Sequence, residues 1–133
     1  MVKKLYEASS HGVRIDLLVR GNCSLITGVP GVSDTIRING IIDRYLEHSR
    51  IFIFANGGDE KMFIGSADWM PRNLDNRVEV IAPVYDPEIK ADLKRVVEYG
   101  LKDTLQGRVV DGTGENRPWI SEDKTAFRSQ EEL

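Results

Sequence analysis

Cysteine is almost missing from this chain: Cys23 is the one thiol in 133 residues, so no internal disulfide can close and no zinc site built from several thiolates can form. Such usage matches a reducing compartment, and a cytoplasmic location is expected. Long apolar runs are missing too. The longest, residues 51–55, falls far short of the roughly 20 residues that a membrane-spanning helix needs. No apolar stretch or small-residue cleavage site follows Lys3 and Lys4, so a secretory signal is not expected. No segment recurs at a period of about 20 to 50 residues, which excludes solenoids and propellers. Five prolines and twelve glycines are ordinary usage, and 41% apolar with 29% charged residues describes one soluble domain with a single core.

Neither sign of charge dominates. The net charge is −3; residues 1–82 carry ten basic and ten acidic side chains, and residues 83–133 carry eight and eleven. A mildly acidic balance argues against nonspecific nucleic-acid binding as the main task. It leaves room for a local basic cluster that holds a polyanion.

What is present is an α/β pattern. Val2, Leu5, Tyr6 and Ser9 share one helical face that stops at His11-Gly12, and residues 13–19 alternate before turning wholly apolar, as a strand covered on both faces does. A helix opening so close to residue 1 predicts that further chain precedes it. Residues 21–35 read as a loop dense in turn residues. Ile36 and Ile38 predict a brief strand, and Ile41, Ile42, Tyr45 and Leu46 predict a short helix ending near His48. Residues 51–55 and 61–66 then read as a hairpin around Asn56-Gly57-Gly58-Asp59. Residues 69–75 read as irregular or a single helical turn, and residues 78–84 as a strand. Asp86-Pro87 supplies an N-cap and a first-turn proline for a long helix with Ile89, Leu93, Val96, Val97, Leu101 and Leu105 on one stripe, closed by Gly107. The tail from Asp111 is polar and is expected to fray toward its acidic end.

Three positions stand out chemically: Arg20, His48 and Arg77. Arg20 follows an apolar strand and precedes Gly21, at the carboxyl end of a strand, where open α/β sheets place ligands. His48 stands two residues from Arg50, a spacing that brings side chains to one face of a strand. An imidazole can move a proton while a guanidinium grips phosphate oxygens in a bidentate fork. Each has a plainer reading as well. His48 would serve as a helix-terminal histidine favoured by the helix dipole, as would His11. Arg77 would form a surface ion pair with Glu79, Cys23 would be a small packed side chain, and Trp69 a core anchor. Gly65-Ser66-Ala67-Asp68 alone reads as a strand-to-turn boundary.

The order His48-x-Arg50, strand, glycine-rich turn, strand, Gly65-Ser66-x-Asp68 resembles the half-site of the phospholipase D-like superfamily, with Arg50 in place of the usual lysine and Asp68 in place of asparagine. A narrower resemblance is stronger. Val19-Arg20-Gly21-Asn22-Cys23-Ser24-Leu25, Pro30-Gly31-Val32-Ser33, Tyr45-Leu46-Glu47-His48-Ser49-Arg50-Ile51 and Gly65-Ser66-Ala67-Asp68-Trp69-Met70-Pro71-Arg72-Asn73-Leu74-Asp75 look like the second carboxy-terminal domain of polyphosphate kinases of the first class.

That resemblance spans approximately residues 5–105 and implies a phospholipase D-like mixed sheet flanked by helices over residues 1–110, one half of a two-domain catalytic unit, followed by a polar tail over residues 111–133. It implies reversible transfer of the terminal phosphate of ATP onto inorganic polyphosphate through a phosphohistidine that lies in a preceding domain outside this sequence. Residue by residue, it implies that Arg20 and His48 contact the nucleotide phosphates, His48 also acting in catalysis. Arg77, with Arg50 and Arg72, would line the polyphosphate path, and Ser66 and Asp68 would support them, Asp68 by orienting His48 or an arginine. Magnesium would arrive with ATP, no metal site in the chain itself being expected. The remaining domains, and further copies of the full-length enzyme, would be the partners, in the cytoplasm or peripheral to the membrane. Two other readings stay open: a phospholipase D-like phosphodiesterase or nuclease half-site, and a non-catalytic polyanion-binding or oligomerisation module.

Overall fold

The computed structural model describes residues 1–133. In chain order the elements are α1 (Val2–Ser10), β1 (Ile15–Val19), β2 (Ile36–Ile41), β3 (Ile51–Phe54), β4 (Lys61–Gly65), α2 (Pro71–Asn76), β5 (Ile81–Val84), α3 (Pro87–Lys102), β6 (Gly107–Val109) and α4 (Ser129–Glu132). The expected α/β class holds, with its six strands divided between two three-stranded sheets of order β1-β2-β6 and β3-β4-β5. The chain forms two compact units: residues 1–46 with 98–133, and residues 47–97.

In the first unit β1 and β2 run parallel, and β6 joins the other edge of β2 antiparallel. Leu25, Ile36 and Ile38 are the buried centre, with Val2, Leu5 and Tyr6 of α1 and Ile15, Leu17 and Val19 of β1 packed on them. Full burial of a side chain such as Ile38 contributes about 1.5–3 kcal/mol, so this small cluster fixes the register of β2. Leu25 comes from the loop, which is how a segment without periodicity is still anchored. At Gly100 an added Cβ would lie 2.6 Å from Leu18 Cδ1, so the last turns of α3 meet β1 closely and need a residue without a side chain.

The second unit is an antiparallel meander. Residues Asn56–Gly58 form a 3-10 turn between β3 and β4, with Gly57 at φ 63°, a left-handed conformation that glycine adopts without strain. Met62, Ala67 and Val84 are buried, and Phe52 stacks on Trp69 with centroids 5.3 Å apart. β5 is an edge strand, which is where Pro83 is tolerated.

Four expectations are corrected. No helix forms over residues 41–48: Ile41 ends β2, and Ile42, Tyr45 and Leu46 are 74%, 63% and 69% exposed. Long-range bonds hold that segment instead, since Gln130 accepts from Tyr45 N at 2.8 Å, donates to Tyr45 O at 2.9 Å, and Arg128 pairs with Asp43. β5 begins at Ile81 rather than residue 78, because Val80 N donates to the Ser66 hydroxyl rather than to a ladder carbonyl. Gly107 opens β6 instead of closing α3, which ends at Lys102. An added Cβ at Gly107 would lie 2.1 Å from Asp103 O, so packing rather than helix termination requires glycine there. Finally, the polar tail is anchored. Trp119 is buried with Nε1 donating to Leu101 O at 2.8 Å, and Ser129 donates to Asp103 Oδ2 through both its amide and its hydroxyl. The long helix does begin at the expected cap, with Asp86 Oδ1 accepting from Glu88 N and Ile89 N.

Candidate functional site

Arg20 stands one residue beyond β1, at the carboxyl end of the parallel pair, and lines a cavity of about 610 Å³ in the first unit. Gly21, Cys23, Gly40, Arg108 and Asp111 are among the other lining residues. The cavity owes its cationic character to two guanidiniums, Arg20 and Arg108. Its carboxylate, Asp111, already accepts from Thr113 N at 3.0 Å, from the Thr113 hydroxyl at 2.8 Å and from Arg117. Those bonds, the Thr113 amide first, hold its carboxyl down at about 2.

The remaining candidate residues lie in the second unit, in two linked groups. In one, Arg50 Nε donates to Asp68 Oδ1 at 3.0 Å and Arg50 Nη1 to His48 O at 2.8 Å. One half-buried guanidinium thus ties the segment before β3 to the turn after β4. His48 is exposed and follows no helix, which removes the helix-terminal explanation for it. In the other group Glu79 is the hub. It accepts from the Ser66 hydroxyl and from Asn73 Nδ2 at 3.0 Å, and Arg77 Nε lies 3.4 Å away. The Ser66 and Asn73 bonds, with smaller attractions from Arg77 and Arg50, keep the Glu79 carboxyl below the usual range and therefore ionised at neutral pH. Asn73 is buried and its Oδ1 has no partner in the chain. Arg72, on α2, is exposed.

Asn73, Glu79 and Arg108 escaped sequence reasoning as members of these groups. Glu79 had a signal, its two-residue offset from Arg77, that reads equally as an ordinary ion pair. Arg108 had none, because its place in the cavity depends on β6 pairing with a strand some 70 residues earlier in the chain.

Comparison with known proteins decides the family. The profile described as "Polyphosphate kinase C-terminal domain 2" matches residues 1–130. The chain belongs to this family. Polyphosphate kinase of Klebsiella pneumoniae is 47% identical over 130 residues, covering 98% of this chain and 19% of that protein. Polyphosphate kinase of Thermosynechococcus vestitus is 55% identical over 119 residues, covering 88% of this chain and 16% of its own length. The crystal structure of polyphosphate kinase from Porphyromonas gingivalis superposes with a TM-score of 0.91 at 43% identity, covering 98% of this chain and 20% of that one. The chain therefore spans about a fifth of the length of these relatives. As a member of the polyphosphate kinase C-terminal domain 2 family, it carries the resemblance read from its motifs. No group of three or more imidazole, thiolate or carboxylate side chains gathers in a metal-binding arrangement, and no helix is long and apolar enough to cross a membrane.

Proposed function

We propose that this chain is the part of an ATP:polyphosphate phosphotransferase that grips phosphate, and that the phosphohistidine nucleophile belongs to a part of the enzyme outside it. The observation that carries this reading is the cation-lined cavity at the carboxyl end of β1, in a chain whose relatives are named polyphosphate kinase. A phosphoryl group in flight spreads negative charge over its equatorial oxygens, and a positioned arginine is worth about 10³–10⁵ in rate in related phosphoryl transfers. Arg20 is the candidate for that grip on the nucleotide phosphates.

His48 hydrogen-bonds the bridging oxygen as the bond from phosphorus to ADP breaks, and returns the same service in the reverse direction. Arg50, fixed by Asp68, sets the backbone that presents His48; this supports a positioning role for Asp68. A carboxylate facing phosphate directly would repel it. Arg77 and Arg72, exposed and cationic, line the polyphosphate path, and Ser66 supports Arg77 through Glu79. Magnesium enters as the ATP complex, its ligands coming mostly from phosphate oxygens and water. Residues 1–110 form the working domain, and residues 111–133 are a polar segment packed into the first unit, with Asp111 and Gly112 bordering the cavity. The enzyme acts in the cytoplasm as a homo-oligomer, with the remaining domains completing its centre.

Arg20→Ala in the full-length enzyme tests the reading. It is expected to raise the KM for ATP or lower kcat by about tenfold or more, as loss of a charge-assisted contact does, with Tm nearly unchanged. A parallel collapse of folding would make Arg20 structural. The 133-residue chain alone is expected to synthesise no polyphosphate, and turnover by it would put the nucleophile here.

A further inference from the structure

Arg108 is the cavity residue to which no role has been given. The strand register sets Val19, Gly40 and Arg108 side by side across β1, β2 and β6, one residue short of Arg20. Val110 packs over the middle of that row, where only glycine fits: a Cβ at Gly40 would lie 2.7 Å from Val110 Cγ2. Gly112, at φ 82°, turns the chain beyond β6 along the same cavity. One corner of the Arg108 guanidinium is held, with Nη1 donating to Gly107 O at 2.7 Å and to Leu105 O at 3.4 Å. Its Nε and Nη2 hydrogens meet no acceptor in the chain. The nearby carboxylate does not answer them, since Asp111 is engaged by Thr113 and Arg117. The result is an immobilised guanidinium with a free two-donor edge, in a cavity that already carries a second cation. Arginine suits oxyanions in this geometry because two parallel N–H donors match two phosphate oxygens.

We propose that Arg108 is a second phosphate-binding residue of the Arg20 cavity, gripping a phosphate of an oligophosphate chain through its Nε and Nη2 edge. This rests on the reading of the domain as one that handles polyphosphate. The oligophosphate comes from one of two sources, the inorganic chain or the tail of ATP.

The test is Arg108→Gln in the full-length enzyme, with KM for ATP and KM for polyphosphate measured separately beside Tm. Glutamine keeps a polar side chain of similar stem and removes the charge and the fork. A rise of about tenfold to a hundredfold in one KM, with Tm within about 3 °C of the parent, is expected. A rise confined to polyphosphate assigns the grip to the inorganic chain, and a rise for ATP assigns it to the nucleotide tail. Unchanged constants at unchanged Tm overturn the proposal. Arg20→Ala in the same assay separates the two levels: if only Arg20→Ala is impaired, Arg108 alone was misread, and if neither is, the cavity was. A second measurement does not depend on the variant folding. Tripolyphosphate is expected to protect Arg108 of the unaltered enzyme from phenylglyoxal, read by peptide mass spectrometry, while Arg95 on α3 reacts as before. Equal modification of Arg108 with and without tripolyphosphate overturns the proposal.

Discussion

Replacing Asp103 by alanine should unpin two parts of the first unit at once, the turn at Gln106 and the segment at Ser129. Asp103 is fully buried; its Oδ2 accepts from Ser129 N at 2.8 Å and Ser129 Oγ at 2.7 Å, and its Oδ1 accepts from Gln106 N at 2.9 Å. The substitution leaves three donors facing no acceptor, two of them on buried Ser129. A hydrogen bond to a charged acceptor contributes about 1.5–3 kcal/mol, and a stranded buried donor costs about 1–3 kcal/mol. The three bonds share one carboxylate and water reaches half-buried Gln106, so their losses are not additive and a total near 3–5 kcal/mol is expected. With about 3–5 °C of Tm per kcal/mol in a domain of this size, the midpoint should drop by roughly 10–20 °C.

Thermal unfolding of the 133-residue chain, followed by circular dichroism and tryptophan fluorescence, reads this directly. Asp103→Asn, which keeps the volume and one oxygen, should lose about half as much, because its amide turns a donor toward one of the former partners. Gln106 and Arg108 line the cavity just downstream, so phosphate affinity should fall in step with the folded fraction, unlike the response to Arg20→Ala. A midpoint within about 3 °C of the parent would refute the reasoning that this carboxylate is the anchor.

Trp119→Phe removes the Nε1 bond to Leu101 O and should cost about 1–2 kcal/mol, whereas Trp119→Ala should cost about 3–5 kcal/mol in a denaturant titration. Acid should destabilise the fold, because the folded-state carboxyls of Asp43, bonded to Arg128, and of Asp111 lie below their ordinary value of 3.8. Their contribution is complete above that value and is lost as pH falls through the folded-state values, to about 2 for Asp111; a stability flat between pH 6 and pH 3 would contradict this. The Arg50–Asp68 pair, 25% and 40% exposed, should show a coupling below about 1 kcal/mol in a double-mutant cycle of stability, so Asp68→Ala should act on activity far more than on Tm.

Local signals in the sequence were enough for α1, the β3–β4 hairpin and the capped start of α3, where each residue's preference agrees with its surroundings. They failed where a distant partner decides the conformation. Tyr45 and Leu46 have helical spacing with Ile41 and Ile42, yet the segment is bonded to Gln130 and Arg128, more than 80 residues on. Gly107 looks like a helix stop, yet it is required by Asn39 and Asp103 crowding its α-carbon. The candidate site divides along the same line. Arg20, His48, Arg50, Ser66, Asp68, Arg72 and Arg77 were visible because they sit in short motifs, whereas Arg108 and Glu79 acquire their surroundings only when strands from separate stretches pair or hydroxyls turn toward them.

The strand β6 joins a sheet whose other members were made long before it. During synthesis, β1 and β2 leave the ribosome with the second edge of β2 unpaired, and roughly 60 more residues must follow before Gly107 arrives to occupy that edge, a wait of about 3–12 s at ordinary elongation rates. The meander of residues 47–97, whose pairings are all between neighbours in the chain, is free to close during that interval. A nascent chain arrested before residue 107 would therefore present a finished meander beside an open sheet edge, the species from which strand-swapped aggregates grow.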